Sequence, residues 1–128
     1  KTKYKGRKLM NTKEVVALIE KLIELTQKNI ISWSVSNIQP TLSDMERVDT
    51  VFSAEYLGQN LRVYKCFYRH YKDEDEFYWL EDYRLETYDM NNHTLYVFPK
   101  TQNVKDLMGA VMYQSSRIEE FYKNIMGQ

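Results

Sequence analysis

The sequence predicts an α+β fold in which one face of an antiparallel β-meander of 4-5 strands is covered by an N-terminal and a C-terminal helix. Two amphipathic patterns near the ends, and a series of alternating segments between them, favour this arrangement. The 128 residues, 43% of them apolar and 28% charged, fit one domain with a single core. We assign residues 1–10 to a basic tail and residues 11–128 to the domain.

The first helix is predicted over residues 12–29. Asn11 and Glu14 have the spacing of a capping box, which marks the start of the helix. Apolar side chains then recur every three or four residues with charged side chains opposite them, as in a helix packed on a core. These apolar residues are Val15, Leu18, Ile19, Leu22 and Leu25.

The middle of the chain reads as strands. A half-buried strand is expected at 31–35, followed by a long loop at 36–49 that contains Pro40. Two strands at 50–56 and 61–68 flank a turn in which Gly58 takes a positive φ. A long strand at 77–89, with a bulge near Glu81 and Asp82, and a short one at 94–98 complete the meander.

The last helix is predicted to run from Asn103 to about residue 126. Its apolar side is a seam whose members are alternately four and three residues apart, which suits packing on a sheet or on another helix. The seam therefore also offers a surface for self-association, and a homodimer is one of the partners we consider. Its members are Val104, Met108, Val111, Ser115, Ile118, Tyr122 and Ile125.

The order of several short segments resembles a group of small bacterial proteins of unknown function, of the Gram-positive or mobile-element type. The segments are "LIELTQKNIISW", "FSAEYLG" with "LRVY", "YRLETYD", and "LMGAVM" with "IEEFYKNI". The resemblance covers most of residues 12–126 and rests on Leu22, Thr26, Trp33, Tyr56, Gly58, Leu85 and Asp89. It implies a helix–meander–helix architecture and a phage or plasmid setting, and it brings no catalytic residues.

The residue types argue against an enzyme and against a cofactor or metal site. One cysteine and two histidines provide too few ligands for zinc, and "DEDEFY" has no glycine where a calcium loop needs one. Phosphate-binding and nucleophile motifs do not occur in the sequence. A single cysteine, with no long apolar run, indicates a cytoplasmic protein with no membrane segment.

Nine of the eighteen aromatic residues lie between positions 64 and 88, and alternation cannot place all of them in one core. We therefore predict a partner-binding surface on the sheet face that the helices leave open. An alternative is that the loop at 36–49, or the tail through Tyr4 and Leu9, folds across this face. The candidate binding residues are the tyrosines Tyr64, Tyr68, Tyr71, Tyr78 and Tyr88 and the acids Glu74, Asp75 and Glu76.

These features favour a non-enzymatic protein-interaction factor of accessory, inhibitor or immunity type, because the acids beside the aromatics would repel phosphate. The alternative is a nucleic-acid-binding regulator that uses the basic tail as an arm. Residues 1–8 hold five Lys/Arg and no acid, whereas residues 9–128 hold 13 Lys/Arg against 18 Asp/Glu. The arm residues would be Lys1, Lys3, Lys5, Arg7 and Lys8.

Overall fold

A computed structural model describes residues 9–128, and the predicted arm residues Lys1, Lys3, Lys5, Arg7 and Lys8, like Tyr4 of the tail, lie outside this range. The α+β prediction is confirmed. One helix precedes and two helices follow the strands along the chain, and the strands form a five-stranded antiparallel sheet in the order β1-β2-β3-β4-β5. The elements are α1 Thr12–Gln27, β1 Ser34–Val35, β2 Glu46–Tyr56, β3 Gln59–Tyr71, β4 Phe77–Tyr88, β5 Thr94–Val97, α2 Asn103–Ser116 and α3 Ile118–Met126.

Helix α1 begins where the capping pattern predicts. The Asn11 side chain accepts a hydrogen bond from the Glu14 amide at 2.8 Å, and the Glu14 carboxylate accepts one from the Asn11 amide at 3.0 Å. Both bonds satisfy amides that have no partner within the helix. The buried side of α1, including Val15, Ile19 and Leu22, then packs against α2 and the sheet.

The register of the sheet corrects one prediction. Strands β3 and β4 pair without a shift from Asn60–Tyr88 to Tyr71–Phe77, so the bulge predicted near Glu81 and Asp82 is wrong. Register shifts occur instead in β2, between Val48 and Val51, and at the β4–β5 pairing. The β2–β3 turn is as predicted, with Gly58 at φ 82°.

The core lies between the helices and one side of the sheet, which we call the helix face. Buried side chains of this face include Phe52, Val63 and Leu85, which pair or neighbour one another across β2, β3 and β4. A second, smaller buried group lies on the opposite face and consists of Val51, Tyr64 and Cys66, with Val48 packed against it. The sheet is thus buried on both faces over part of its length.

The loop of residues 36–45 reaches across the opposite face. It leaves β1 at one edge of the sheet, and the Gln39 carbonyl accepts a hydrogen bond from the Asn92 side chain in the β4–β5 turn at 2.9 Å. Pro40 is buried, and the loop returns to β2, where the Met45 carbonyl accepts from the Arg69 amide. Of the two sequence-based alternatives, the structure supports a loop that covers part of this face.

The last helical segment is divided, where the sequence predicted one helix to about residue 126. Arg117 has φ 57° and separates α2 from α3. The Ser116 hydroxyl donates to the Tyr113 carbonyl and accepts from the Ile118 amide, which satisfies backbone groups at the break. The side chains of α2 at Val104, Leu107, Met108 and Val111 are buried, while α3 has no buried residue.

Candidate protein-binding site

Strands β3 and β4 are too long for the helices to cover. A 13-residue strand extends about 43 Å, whereas the 16 residues of α1 span about 24 Å. The core therefore includes Leu61, Val63 and Leu85 but no residue between 67 and 81. We call residues 67–81 the hairpin arm; it consists of the far ends of β3 and β4 and the turn between them.

The helix-face side of the hairpin arm carries a row of aromatic rings. Tyr71 and Phe77 have ring centroids 5.5 Å apart, and Phe77 meets Trp79 edge to face at 5.9 Å. The three side chains are 44%, 44% and 40% exposed, respectively. A contiguous exposed row of large rings is uncommon on a monomer surface and is typical of a binding site.

Two arginines lie on these rings. The Arg47 guanidinium is 5.0 Å from the centroid of Trp79, and that of Arg69 is 5.3 Å from Phe77 and 5.7 Å from Trp79. Arg69 also donates to the Tyr71 hydroxyl at 3.2 Å. Within residues 9–128, neither arginine forms an ion pair with a carboxylate, so both retain charge for an external group.

The other side of the hairpin arm is also aromatic. His70 and Tyr78 lie opposite each other in the β3–β4 register, with ring centroids 5.1 Å apart, and Tyr78 is 48% exposed. Tyr68, paired with Leu80, is half-buried, and the Lys100 ammonium is 5.9 Å from its ring. The arm therefore presents aromatic side chains on both faces.

The turn at the tip of the arm is acidic and ordered by its own hydrogen bonds. One Asp73 carboxylate oxygen accepts from the amides of Asp75 and Glu76, at 2.9 and 3.0 Å. The Lys72 amide donates to the Glu76 carbonyl at 2.9 Å, which closes the turn. All of residues 72–76 are exposed, so the carboxylates of Glu74, Asp75 and Glu76 face solvent.

The predicted binding residues separate into two groups. Tyr71 and Tyr78, with the acids Glu74, Asp75 and Glu76, are exposed on the hairpin arm, and Tyr68 is half-buried at its base. Tyr64 is 1% exposed, so its side chain lies in the interior and is out of reach of a partner. Tyr88 is half-buried at the far end of β4, where the Arg62 guanidinium lies 4.4 Å from its ring.

Sequence reasoning missed Arg47, Arg69, Phe77 and Trp79 as candidate binding residues. Alternation along β4 puts Trp79 on the same face as the core residue Leu85, and the pairing Arg69–Trp79 lies on that face. The helices end short of it, however, so the side chain is exposed. The predicted elements gave no sign of this, because the strand predicted at 61–68 is shorter than β3, and the last helix was predicted to continue past the end of α2 at Ser116.

A buried polar cluster lies on the opposite face near the other end of the same strands. Arg62 and Glu86 form an ion pair at 2.6 Å with side chains 1% and 4% exposed. The Tyr64 hydroxyl donates to Glu86 at 3.1 Å, and burial beside this carboxylate raises the pKa of Tyr64. Arg62 also donates to Thr94 at 3.0 Å and to Asn92. Because its charges are matched internally, we assign the cluster a structural role.

The remaining titratable groups near this cluster are also paired or protonated. Arg84 donates to Glu46 at 2.6 Å and lowers the pKa of that carboxyl, while Lys100 forms an ion pair with Asp82. Burial raises the pKa of the Cys66 thiol, so it is protonated at neutral pH and is a weak nucleophile. This arrangement offers structural contacts rather than an activated group.

The remaining observations concern metal binding, membrane spanning and similarity to known proteins. In residues 9–128 no three His, Cys, Asp or Glu side chains are grouped as a metal site would require. No helix in that range has the length and apolar character needed to cross a membrane. No protein-family model, curated protein or solved structure matches the chain.

Proposed function

We propose that the chain is a non-enzymatic protein-interaction factor that binds its partner through the hairpin arm. The observation that carries the proposal is the exposed row of Tyr71, Phe77 and Trp79, with Arg47 and Arg69 lying on the rings. Tryptophan, tyrosine and arginine are the residue types that contribute most binding free energy in protein interfaces. Their rings and stacked guanidinium groups lose little rotamer entropy when a partner covers them.

The charge of the arm indicates what kind of partner it would accept. Residues 67–81, which form the hairpin arm, hold two Lys/Arg and five Asp/Glu, and four of those acids form the tip. A polyphosphate chain would be repelled along this element, whereas a basic protein surface would be attracted. We therefore propose a partner with an apolar groove for the aromatic row and a basic rim opposite Glu74, Asp75 and Glu76.

A partner with a basic surface fits an inhibitor, immunity or accessory protein that occupies the nucleic-acid site of another protein. This part of the proposal depends on the acidic turn and on the resemblance to proteins of phages and plasmids. The cytoplasm is the proposed location. The acids would steer the encounter and the aromatic row would hold the complex, so salt should weaken association more than it speeds dissociation.

Affinity capture from the host with three baits tests the proposal. The intact chain should retain a specific protein, and Phe77→Ala with Trp79→Ala should lose it, because the substitution removes the aromatic row and leaves the core unchanged. Leu95→Ala is the matched control, since Leu95 is an apolar side chain 62% exposed on β5, away from the arm. Equal recovery by all three baits would refute the assignment to the arm.

The acidic turn is tested separately with Glu74, Asp75 and Glu76 changed to Lys. Association with the captured protein should slow by about tenfold or more at low salt and by less at high salt. An unchanged association rate would remove the basic partner from the proposal, while the aromatic row would still stand on the first experiment. Circular dichroism on each variant checks that the fold is retained.

One second candidate, a nucleic-acid-binding regulator, is favoured by Arg47 and Arg69, which lie beside exposed rings and form no ion pair within residues 9–128. Other proteins bind single-stranded nucleic acid by stacking its bases on aromatic side chains inside a basic groove. In this alternative the basic residues 1–8 would add phosphate contacts. Binding of single-stranded DNA that falls steeply with salt and is lost without residues 1–8 would favour this candidate over the first.

A further inference from the structure

One edge of the hairpin arm has no neighbouring strand. Strand β4 pairs with β5 only over residues 86–88, and the next backbone contact on that side is the Phe98 amide, which donates to the Leu85 carbonyl at 2.9 Å. On the β3 side of the arm, the Met45 carbonyl accepts from the Arg69 amide at 3.3 Å, so the loop before β2 reaches that edge. Along residues 77–83, no other strand of residues 9–128 lies beside β4 on the side away from β3. We call residues 77–83 the open edge.

The backbone groups of the open edge alternate in direction. Successive residues of an antiparallel strand direct their amide and carbonyl groups to opposite neighbours. The Lys72 amide donates to the Glu76 carbonyl at the end of the β3–β4 pairing, so the even-numbered residues of β4 face β3, whereas the Leu85 carbonyl faces Phe98. The odd-numbered residues of the open edge therefore direct their backbone groups outward, where no strand of residues 9–128 pairs with them. These residues are Phe77, Trp79, Glu81 and Tyr83.

The open edge lacks the usual protection against pairing. Protein sheets block a long edge with Lys, Pro, a bulge or a covering segment. The open edge reads "FYWLEDY", with no Lys or Pro, and its pairing with β3 shows no register shift. Residues 81–83 also border a groove of about 500 Å³ whose other wall is formed by residues 100–106. There is therefore room for another extended segment beside β4, as in domains that bind peptides by adding a strand to a sheet.

The side chains along the open edge indicate which segment would fit. Phe77, Tyr78 and Trp79 are 44%, 48% and 40% exposed and lie on alternate faces of β4, so both faces of an added strand would meet aromatic rings. The exposed acids of residues 73–76 lie at one end, where Lys or Arg would be attracted. A second copy of the arm fits poorly, because it would bring five Asp/Glu against two Lys/Arg.

We propose that the partner supplies an extended segment that pairs with the open edge as a sixth strand of the sheet. The segment carries apolar side chains beside the rings and Lys or Arg at the end near the acidic turn. This inference rests on the proposed function and specifies how the hairpin arm is occupied. Backbone hydrogen bonds of an added strand provide affinity, and the side-chain contacts provide specificity. A nucleic acid has no alternating amide and carbonyl groups and could not form this pairing.

A synthetic peptide, Lys-Lys-Val-Thr-Val-Lys-Lys, tests the pairing by amide hydrogen exchange measured with NMR. Its lysines at both ends allow it to add in either direction. In the free chain, the outward amides of Trp79 and Glu81 should exchange fast, and those of Tyr78 and Leu80, which face β3, should exchange slowly. The peptide should slow exchange at Trp79 and Glu81, and a peptide with Glu in place of every Lys should not bind.

Two results of this experiment would overturn the added strand. One is the absence of binding at millimolar concentrations of the lysine peptide. The other is a bound peptide that shifts the ring signals of Phe77 and Trp79 while the Trp79 and Glu81 amides still exchange fast. The second result would leave the hairpin arm as a binding surface, so the proposed function would stand without the added strand.

Two substitutions at one position separate the backbone from the side chain. Glu81→Pro should weaken binding of the lysine peptide by about tenfold or more, because proline removes the outward amide and its ring occupies the edge. Proline at an outward-facing edge position leaves the pairing with β3 in place, which circular dichroism checks. Glu81→Ala is the matched control: it removes the same carboxylate but keeps the amide, and it should weaken binding by about threefold or less.

Equal binding of the lysine peptide by Glu81→Pro and Glu81→Ala would contradict the added strand. The protein captured by the intact chain provides a second comparison. If Glu81→Pro retains that protein and the Phe77→Ala, Trp79→Ala variant loses it, the aromatic row binds the partner without an added strand. That result would refute this inference and support the proposed function. Loss of the captured protein with Glu81→Pro but not with Glu81→Ala would support the added strand.

Discussion

The two ends of the β3–β4 hairpin share one register but have different surroundings. Near Leu61 and Leu85 the strands are enclosed between the helices and the loop of residues 36–45, and their side chains are buried on both faces. At the hairpin arm the same strands continue, and the row from Tyr71 to Trp79 is 40–44% exposed, with Arg47 and Arg69 lying on its rings. Because the strands pair continuously, one end stabilises the fold while the other exposes the side chains that we propose as a binding surface.

Two arginines on β3 illustrate the difference. Arg62 is 1% exposed and is held by Glu86, Thr94 and Asn92. Arg69, seven residues later, lies on aromatic rings and forms no ion pair within residues 9–128. A buried charge must be matched internally, whereas a partly exposed charge on a ring is available to a partner. Residue type alone therefore does not indicate which arginine is structural.

The largest expected effect is at the enclosed end, on breaking the buried ion pair. Glu86→Ala leaves the Arg62 charge in the interior without its carboxylate and should lower the free energy of unfolding by about 3–5 kcal/mol. Urea denaturation, followed by circular dichroism, measures this loss. Arg69→Ala on the hairpin arm is the comparison. It should lower the free energy of unfolding by about 1 kcal/mol or less, since it removes only a partly exposed contact with aromatic rings.

A second variant distinguishes two contributions to the free energy of unfolding: the penalty for leaving Arg62 buried without its carboxylate, and the net stabilisation by the Arg62–Glu86 ion pair. Arg62→Met with Glu86→Leu removes both charges together and should restore most of the stability lost in Glu86→Ala. If the double variant is as unstable as the single one, packing around Glu86 matters more than the ion pair. Equal losses for Glu86→Ala and Arg69→Ala would contradict the distinction between the two ends.

The sequence predicts the order of the elements and the face of the sheet on which each strand residue lies. It does not predict how much of each strand the helices cover. Alternation correctly places Val63, Leu85 and Trp79 on one face, because side-chain direction is a local property of a strand. Which of these residues are buried depends on where α1 and α2 end over the sheet, and that is a tertiary property. Tyr64, predicted as a binding residue, is accordingly buried, whereas Trp79 is exposed.

The helices also show that local features can be predicted from the sequence whereas long-range contacts cannot. The capping pattern at Asn11 and Glu14 fixes the start of α1, since every contact is within one turn. Gln114 was not a candidate, yet its amide donates to the carbonyls of Thr26 and Ile31 and its oxygen accepts from the Trp33 amide. Such long-range bonds leave no periodic signal. The break at Arg117, which follows this anchored residue, likewise interrupts a seam that reads as continuous.

A pair of leucines on β4 gives the next largest effect. Leu85 is fully buried in the core, so Leu85→Ala should lower the free energy of unfolding by about 2–5 kcal/mol through lost burial and a residual cavity. Leu80 lies five residues earlier, on the hairpin arm, and is half-buried. Leu80→Ala is the same substitution, and it should lower the free energy of unfolding by about 1 kcal/mol or less. Thermal and urea unfolding of both variants compares them directly. Similar losses would mean that the arm contributes to the core after all.

The smallest effect lies at the boundary between the two ends, where Glu46 at the start of β2 pairs with Arg84 on β4. The Arg84 hydrogen bond lowers the pKa of Glu46 in the folded chain, so the folded state binds its proton less readily than the unfolded state does. The contribution of this pair is complete above the ordinary glutamate pKa and is lost as the pH falls through the lowered pKa of Glu46 in the folded chain. Because both side chains are 22% exposed, we expect less than about 1 kcal/mol.

The measurement is the difference in unfolding free energy between the intact chain and Glu46→Gln at several pH values. Glutamine retains a hydrogen-bond acceptor for Arg84 but does not titrate, so the difference should shrink as Glu46 becomes protonated below its folded-state pKa. The corresponding difference for Glu74→Gln in the exposed acidic turn should stay near zero throughout. A difference at Glu46 that is constant with pH would mean that the pair contributes packing and not charge, and the boundary would then resemble the enclosed end.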